Sequence, residues 1–206
     1  MMKVTQILIV LVVVAVVSVP LIAQEPNMSQ FEQIKEPKIS TRKNQKMLVV
    51  EAKGDPNVVG GKAFGLLFRL YYSMPETPKG PMQAAPRARW PIPLVDTPKS
   101  TWIGAYALPV PETITELPPH EAQEGLKASL TTWEYGTVAE LLYIGPYDRE
   151  ESTIKRLLDF IKERGYVTVG NHEEEYIKGP SMYGKEDPEK YVTIIRYRVK
   201  KMDKTE

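Results

Sequence analysis

The chain has 206 residues, 42% hydrophobic and 26% charged, which suits one globular domain with appendages. A net charge of +1 supplies no field for nucleic acid or another charged polymer. The absence of cysteine excludes disulfides, thiol catalysis, a lipidated cysteine and zinc–thiolate sites.

Residues 7–23 are almost wholly apolar and follow a single Lys3. The run falls between the ~20 apolar residues of a spanning helix and the roughly 7–15 of a signal-peptide core. Pro20 and Ala23-Gln24 resemble the tail of a cleavable signal, although Leu21 is large for the −3 position. Residues 1–23 are therefore expected to be a signal peptide or transmembrane anchor, placing the protein at a membrane or outside the cytoplasm. Whether the segment is cleaved stays open. A buried core helix is disfavoured, because valine dominates and no polar face exists. Residues 24–46, with Pro26 and Pro37, read as a polar tether, helical in part at 28–35.

A domain is expected over residues 47–201, with a tail at 202–206. Residues 47–52 read as a strand that Gly54-Asp55-Pro56 ends, and 57–61 as a loop. Phe64, Leu67, Phe68 and Tyr71 repeat at helical spacing and predict an amphipathic helix. The proline-rich stretch 74–98 reads as a surface loop with an edge strand near 89–94. Residues 101–110 predict a strand with Trp102, Gly104 and Tyr106 on one face. A connector follows, then a further strand at 126–133. Residues 137–144 form another strand, broken by Gly145-Pro146-Tyr147. Asp148 and Glu151 have capping-box spacing ahead of a helix with Ile154, Leu157, Leu158 and Ile161 as its stripe. Gly165 sits at its C-terminal cap, followed by a short strand at 166–169. Then come His172-Glu-Glu-Glu-Tyr176 and a final strand at 191–200.

Ile154 and Ile161 stand 90 residues after Phe64 and Tyr71, and a strand and glycine turn recur with them, so an internal duplication is expected. Two amphipathic helices beside six to eight strands predict an α+β fold, mostly antiparallel, with both helices on one face. Gly145-Pro146-Tyr147 before a helix, then Glu174-Glu175-Tyr176-Ile177-Lys178-Gly179-Pro180 on a later strand, resembles the second half of GyrI-like domains. These are also called AraC effector-binding or multidrug-sensing domains. The resemblance implies duplicated strand–helix–strand–strand units, and a concave ligand cleft on the sheet face opposite the helices.

On a strand, Glu174 shares a face with His172 and Tyr176, while Glu173, Glu175 and Ile177 face the other way. The resemblance makes Glu174 the pocket carboxylate that pairs with cationic ligands in multidrug-sensing relatives. Ring faces attract cations, and desolvation strengthens the pairing. The same burial would raise the Glu174 pKa in an empty pocket. The plainer alternative is that three successive glutamates form a solvated strand edge. Trp102 and Tyr106 are candidates for the pocket's aromatic wall or for ordinary core. Tyr143, Tyr147 and Tyr176 are further ligand-binding candidates; Trp90 and Trp133 carry no assigned role. His120 and His172 lack the spacing of a zinc site, so no metal and no cofactor is expected. No phosphate loop or serine elbow is present.

The resemblance implies a domain that binds small aromatic or cationic organic ligands. No helix-turn-helix accompanies it, so no nucleic-acid partner is expected. Some stand-alone GyrI-like proteins are hydrolases that open cyclopropane-containing toxins, and Glu174 would then be the general base. A third reading is a protein-interaction module on a membrane.

Overall fold

The structure is a computed structural model, and it describes residues 27–90, 98–180 and 187–202. After a 3-10 turn at Met28–Ile34 come strands β1 (Lys38–Arg42) and β2 (Gln45–Lys53), then helix α1 (Pro56–Ser73). Strands β3 (Arg87–Trp90), β4 (Ile103–Pro109), β5 (Leu126–Trp133) and β6 (Gly136–Ile144) follow. Helix α2 (Glu151–Glu163) leads to β7 (Tyr166–Lys178) and β8 (Val192–Lys201). All eight strands join one antiparallel sheet in the order β1-β6-β8-β7-β3-β4-β2-β5. The fold is α+β, as expected.

Two short connections shape this sheet. Lys43-Asn44 joins β1 to β2, and Glu134-Tyr135 joins β5 to β6. Each link spans six positions in the sheet order. Six steps of about 4.8 Å would separate those strands by ~29 Å in a flat sheet. Two linking residues reach at most ~11 Å. The sheet must therefore curl until the ends meet. Asn44 ties the links together, its Oδ1 accepting a 3.0 Å hydrogen bond from the Tyr135 backbone N–H. Met47, Val49, Ala107, Trp133, Tyr135 and Val138 pack inside the curl. Phe31 and Ile34 of the 3-10 turn close another part of the same face against Leu142, Val192 and Ile194.

Both helices lie on the opposite face. Cross-strand pairing aligns Val50, Tyr106, Ala88, Glu174, Ile195 and Leu141 in one row across that face. Helix α1 buries Ala63, Leu66, Leu67, Leu70 and Tyr71 over β2 and β4; α2 buries Leu157 and Ile161 over Leu141, Ile195 and Tyr197. The expected stripe on α1 is rotated, so Phe64 and Phe68 are only half-buried and flank the middle of the sheet. The units β2-α1-β3-β4 and β6-α2-β7-β8 run outward from a central β3–β7 junction in matching order, β3-β4-β2 and β7-β8-β6. This is the expected duplication. Strand β5 flanks the first unit instead of opening the second.

Several local expectations change. Lys38–Arg42, read as tether, is an edge strand paired with β6, and its short polar sequence suits that edge. Residues 57–61 belong to α1, because the Asp55 side chain accepts from the Asn57 N–H at 2.9 Å and Pro56 fits the first turn. Strand β3 is central, not an edge, and pairs with β4 and β7. Asp148 does not cap α2: a 3-10 turn at Tyr147–Arg149 intervenes and Glu150 takes the N-cap position. Residues 166–178 form one strand, irregular near Gly170, whose φ of 88° suits a bulge. The apolar run at 7–23 lies outside the described residues. Among the described residues no helix is long and apolar enough to cross a membrane.

Candidate functional site

Strand β7 is central, and its alternation sends neighbouring glutamates to different destinations. Glu173 and Glu175 enter the curl. There Arg196 bonds Glu140 at 3.0 Å, Glu175 at 2.9 Å and Glu173. Arg89 Nε donates to Glu173 at 2.6 Å, and Arg87 reaches Glu175 at 3.2 Å. The Tyr135 hydroxyl accepts from Arg87 at 2.8 Å and donates to Glu173 at 3.1 Å. Burial opposes the charges of Glu140 and Glu175, but the guanidinium groups prevail and hold both carboxyls below the usual range. The resemblance placed a ligand cleft on this concave face. The structure fills that part of it with ion pairs and sets Glu174 on the helix-bearing face instead.

Glu174 is 2% exposed. His172 and Tyr176 rise beside it, and the neighbouring strands present Trp90, Ala88, Tyr197, Ile195 and Thr193. His172 Nε2 lies 2.8 Å from Glu174 Oε1, while its Nδ1 lies 2.8 Å from the Tyr197 hydroxyl. Trp90 stacks on the imidazole at 5.6 Å. Glu150 arrives from the N-terminus of α2, over the sheet, and hydrogen-bonds Glu174. Burial and the adjacent Glu174 carboxylate push Glu150 up to about 9, so it keeps its proton at neutral pH; nearby Lys99 opposes this. Burial also disfavours a charge on Glu174. Hydrogen bonds from His172, Glu150 and Tyr176 overcome it and hold Glu174 below the usual carboxylate range. The raised pKa anticipated for Glu174 thus belongs to Glu150.

Rings continue from this centre toward both helices. Tyr191 packs on Tyr147 at 5.2 Å, Tyr147 on Tyr176 at 5.5 Å, Tyr176 on Phe64 at 5.9 Å and Phe64 on Tyr106 at 5.0 Å. Burial, reinforced by the Glu174 charge, raises the Tyr147, Tyr176 and Tyr197 phenols, so all three remain hydrogen-bond donors. Between Tyr106 and Glu174 the row holds only Ala88, a small side chain amid aromatics.

No family model and no curated protein matches the sequence. Solved structures do match. An uncharacterized conserved protein from Listeria innocua aligns with a TM-score of 0.65 and 21% identity, covering 84% of this chain and 98% of that one. A hydrolase from Listeria innocua aligns at 0.62 and 20% identity, with the same coverage. The C-terminal domain of EcmrR aligns at 0.56 and 13% identity over 81% of this chain and 98% of that one. The chain shares the α+β fold of these structures, which is consistent with the GyrI-like resemblance of its sequence.

The fold brings Glu174, Tyr176 and Tyr147 together. Tyr106 lies two strands from Glu174 and belongs to the core under α1, where burial and then Asp55 push its phenol up to about 12. Trp102 is buried just before β4, its ring centre 5.9 Å from the Lys99 ammonium. The Tyr143 hydroxyl donates to the Pro146 carbonyl at 2.7 Å. It thereby braces the turn that presents Tyr147 and Glu150. Sequence reading missed Glu150 and set His172 aside as structural. Glutamate is a poor N-cap residue and makes no capping bond here, but with Asp148 read as the cap no such misfit was visible in the sequence.

Proposed function

We propose that this chain is a small-molecule-binding domain that holds an aromatic or cationic organic ligand between its two helices, against Glu174. The observation carrying this reading is the Glu174 carboxylate buried among rings from β3, β7, β8 and both helix approaches. A ligand cation there gains from the desolvated carboxylate and from ring quadrupoles together. Export or membrane anchoring through residues 1–23 belongs to the proposal and rests on the apolar run. The test is a thermal-shift and titration screen of aromatic cations with wild type and Glu174→Gln. Equal affinity in both proteins would remove the reading.

A hydrolase is the second reading, favoured by the pairing of two carboxyl groups of which one holds a proton. The hydrolase from Listeria innocua with this fold adds support. Glu174 would take a proton from water as it attacks a strained electrophilic carbon, and Glu150 would protonate the group released by ring opening. Product analysis with cyclopropane-containing electrophiles separates the readings, since a binding domain returns them unchanged.

A further inference from the structure

We propose that Glu150, His172 and Glu174 form a site for one divalent transition-metal ion, with zinc the best match to an imidazole nitrogen and two carboxylates. One ligand atom from each residue lies within 4.8 Å of the others. Ligands on tetrahedral zinc, each at about 2.0–2.2 Å from the ion, stand roughly 3.4 Å apart. Side-chain rotation of about an ångström closes the difference. Two elements contribute: β7 supplies His172 and Glu174 from a rigid central strand, and the start of α2 supplies Glu150.

The surroundings fit an ion. Metal-bound histidines are oriented through their second ring nitrogen, and the Tyr197 hydroxyl lies 2.8 Å from His172 Nδ1. The Tyr176 hydroxyl bonds Glu174 and orients that carboxylate as well. Two buried polar atoms lack partners here. Glu150 Oε2 makes no hydrogen bond. Thr193, 0% exposed and directly across from Tyr176 and Tyr143 on this face, has an unpartnered hydroxyl. Buried polar groups are normally satisfied. An ion on Glu150, with a bound water toward Thr193, satisfies both. Three protein ligands leave a fourth position for that water or for a donor atom of a bound molecule, the pattern of catalytic zinc sites.

Zinc titration by calorimetry, with metal content measured after dialysis, tests this on the full-length chain stripped with chelator. One ion per chain is expected, with visible absorption bands of tetrahedral geometry when cobalt(II) replaces zinc. Glu150→Gln and His172→Gln should each weaken uptake about a hundredfold, and Tyr197→Phe about tenfold, as for loss of an orienting partner. His120→Ala should leave uptake unchanged. Circular dichroism and melting of each metal-free variant check that it is folded. Absence of stoichiometric uptake overturns the proposal, as does uptake that persists in the Glu150→Gln/His172→Gln double variant. Organic-ligand binding is measured on the stripped protein, so the two readings fail separately.

Discussion

His172 Nε2 lies 2.8 Å from Glu174 Oε1 although a single residue separates them along β7. Strand alternation puts both on the helix-bearing face, while Glu173 and Glu175 turn into the curl. With Glu150 overhead, Glu174 is ionised, buried and held by three donors. Glu174→Gln keeps the shape and removes the charge. Affinity for an aromatic cation should fall by about 1–3 kcal/mol, the scale of a charge-assisted contact. Under the hydrolase reading turnover should fall much further than binding, because the lost interaction is made in the transition state. Parallel calorimetry and product assays on the one variant read both quantities.

Gly179 gives a test of the aromatic wall that leaves the acids alone. A Cβ at this position would lie 2.6 Å from the Tyr147 hydroxyl. Tyr147 must then shift, which disturbs its packing on Tyr176. Gly179→Ala is expected to weaken ligand binding by about 1 kcal/mol and to lower stability by about 1–3 kcal/mol, the range for an overpacked contact. Titration and urea unfolding measure the two effects. Unchanged binding would remove Tyr147 from the wall.

The helical stripes, the offset of 90 residues and the alternation around Glu174 were legible because each rests on local periodicity. Two strands were not. Lys38–Arg42 is short and polar, and its partner β6 lies almost a hundred residues away. Strand β3 was read only as an edge strand near 89–94 in a proline-rich stretch, and Arg87 and Arg89 were given no role. Their charges instead meet Glu175 and Glu173 across an antiparallel pair. Arg-x-Arg against Glu-x-Glu was a readable complementarity, but only a correct strand pairing gives it meaning. Glu150 was illegible for a related reason: its partner Glu174 comes near only after α2 docks on the sheet.

Arg196 is 1% exposed and serves Glu140, Glu173 and Glu175 at once. Arg196→Met removes the central cation and leaves those carboxylates with Arg42, Arg87 and Arg89 on the rim of the network. Breaking a buried pair from one side costs about 3–5 kcal/mol, because uncompensated charge remains. Urea unfolding should show that loss with an unchanged slope. A loss under 1 kcal/mol would mean that water or the remaining arginines replace Arg196.

The same network sets the acid limit of stability. Arg196 and its companions depress the Glu140 and Glu175 carboxyls in the folded state. A depressed carboxyl binds fewer protons folded than unfolded, so its contribution is present above the unfolded value of about 4.3. It is lost as pH falls through the folded value. Stability should therefore hold at neutral pH and decline below about pH 4.3. Arg196→Met raises the folded values of both carboxyls toward the unfolded ones, so its urea midpoint should depend less on pH over the acid range. The two midpoint curves should converge as pH falls, because protonated carboxyls no longer miss the guanidinium. Parallel curves at a constant offset would mean that Arg196 stabilises the curl through packing, with no share in the carboxyl titration.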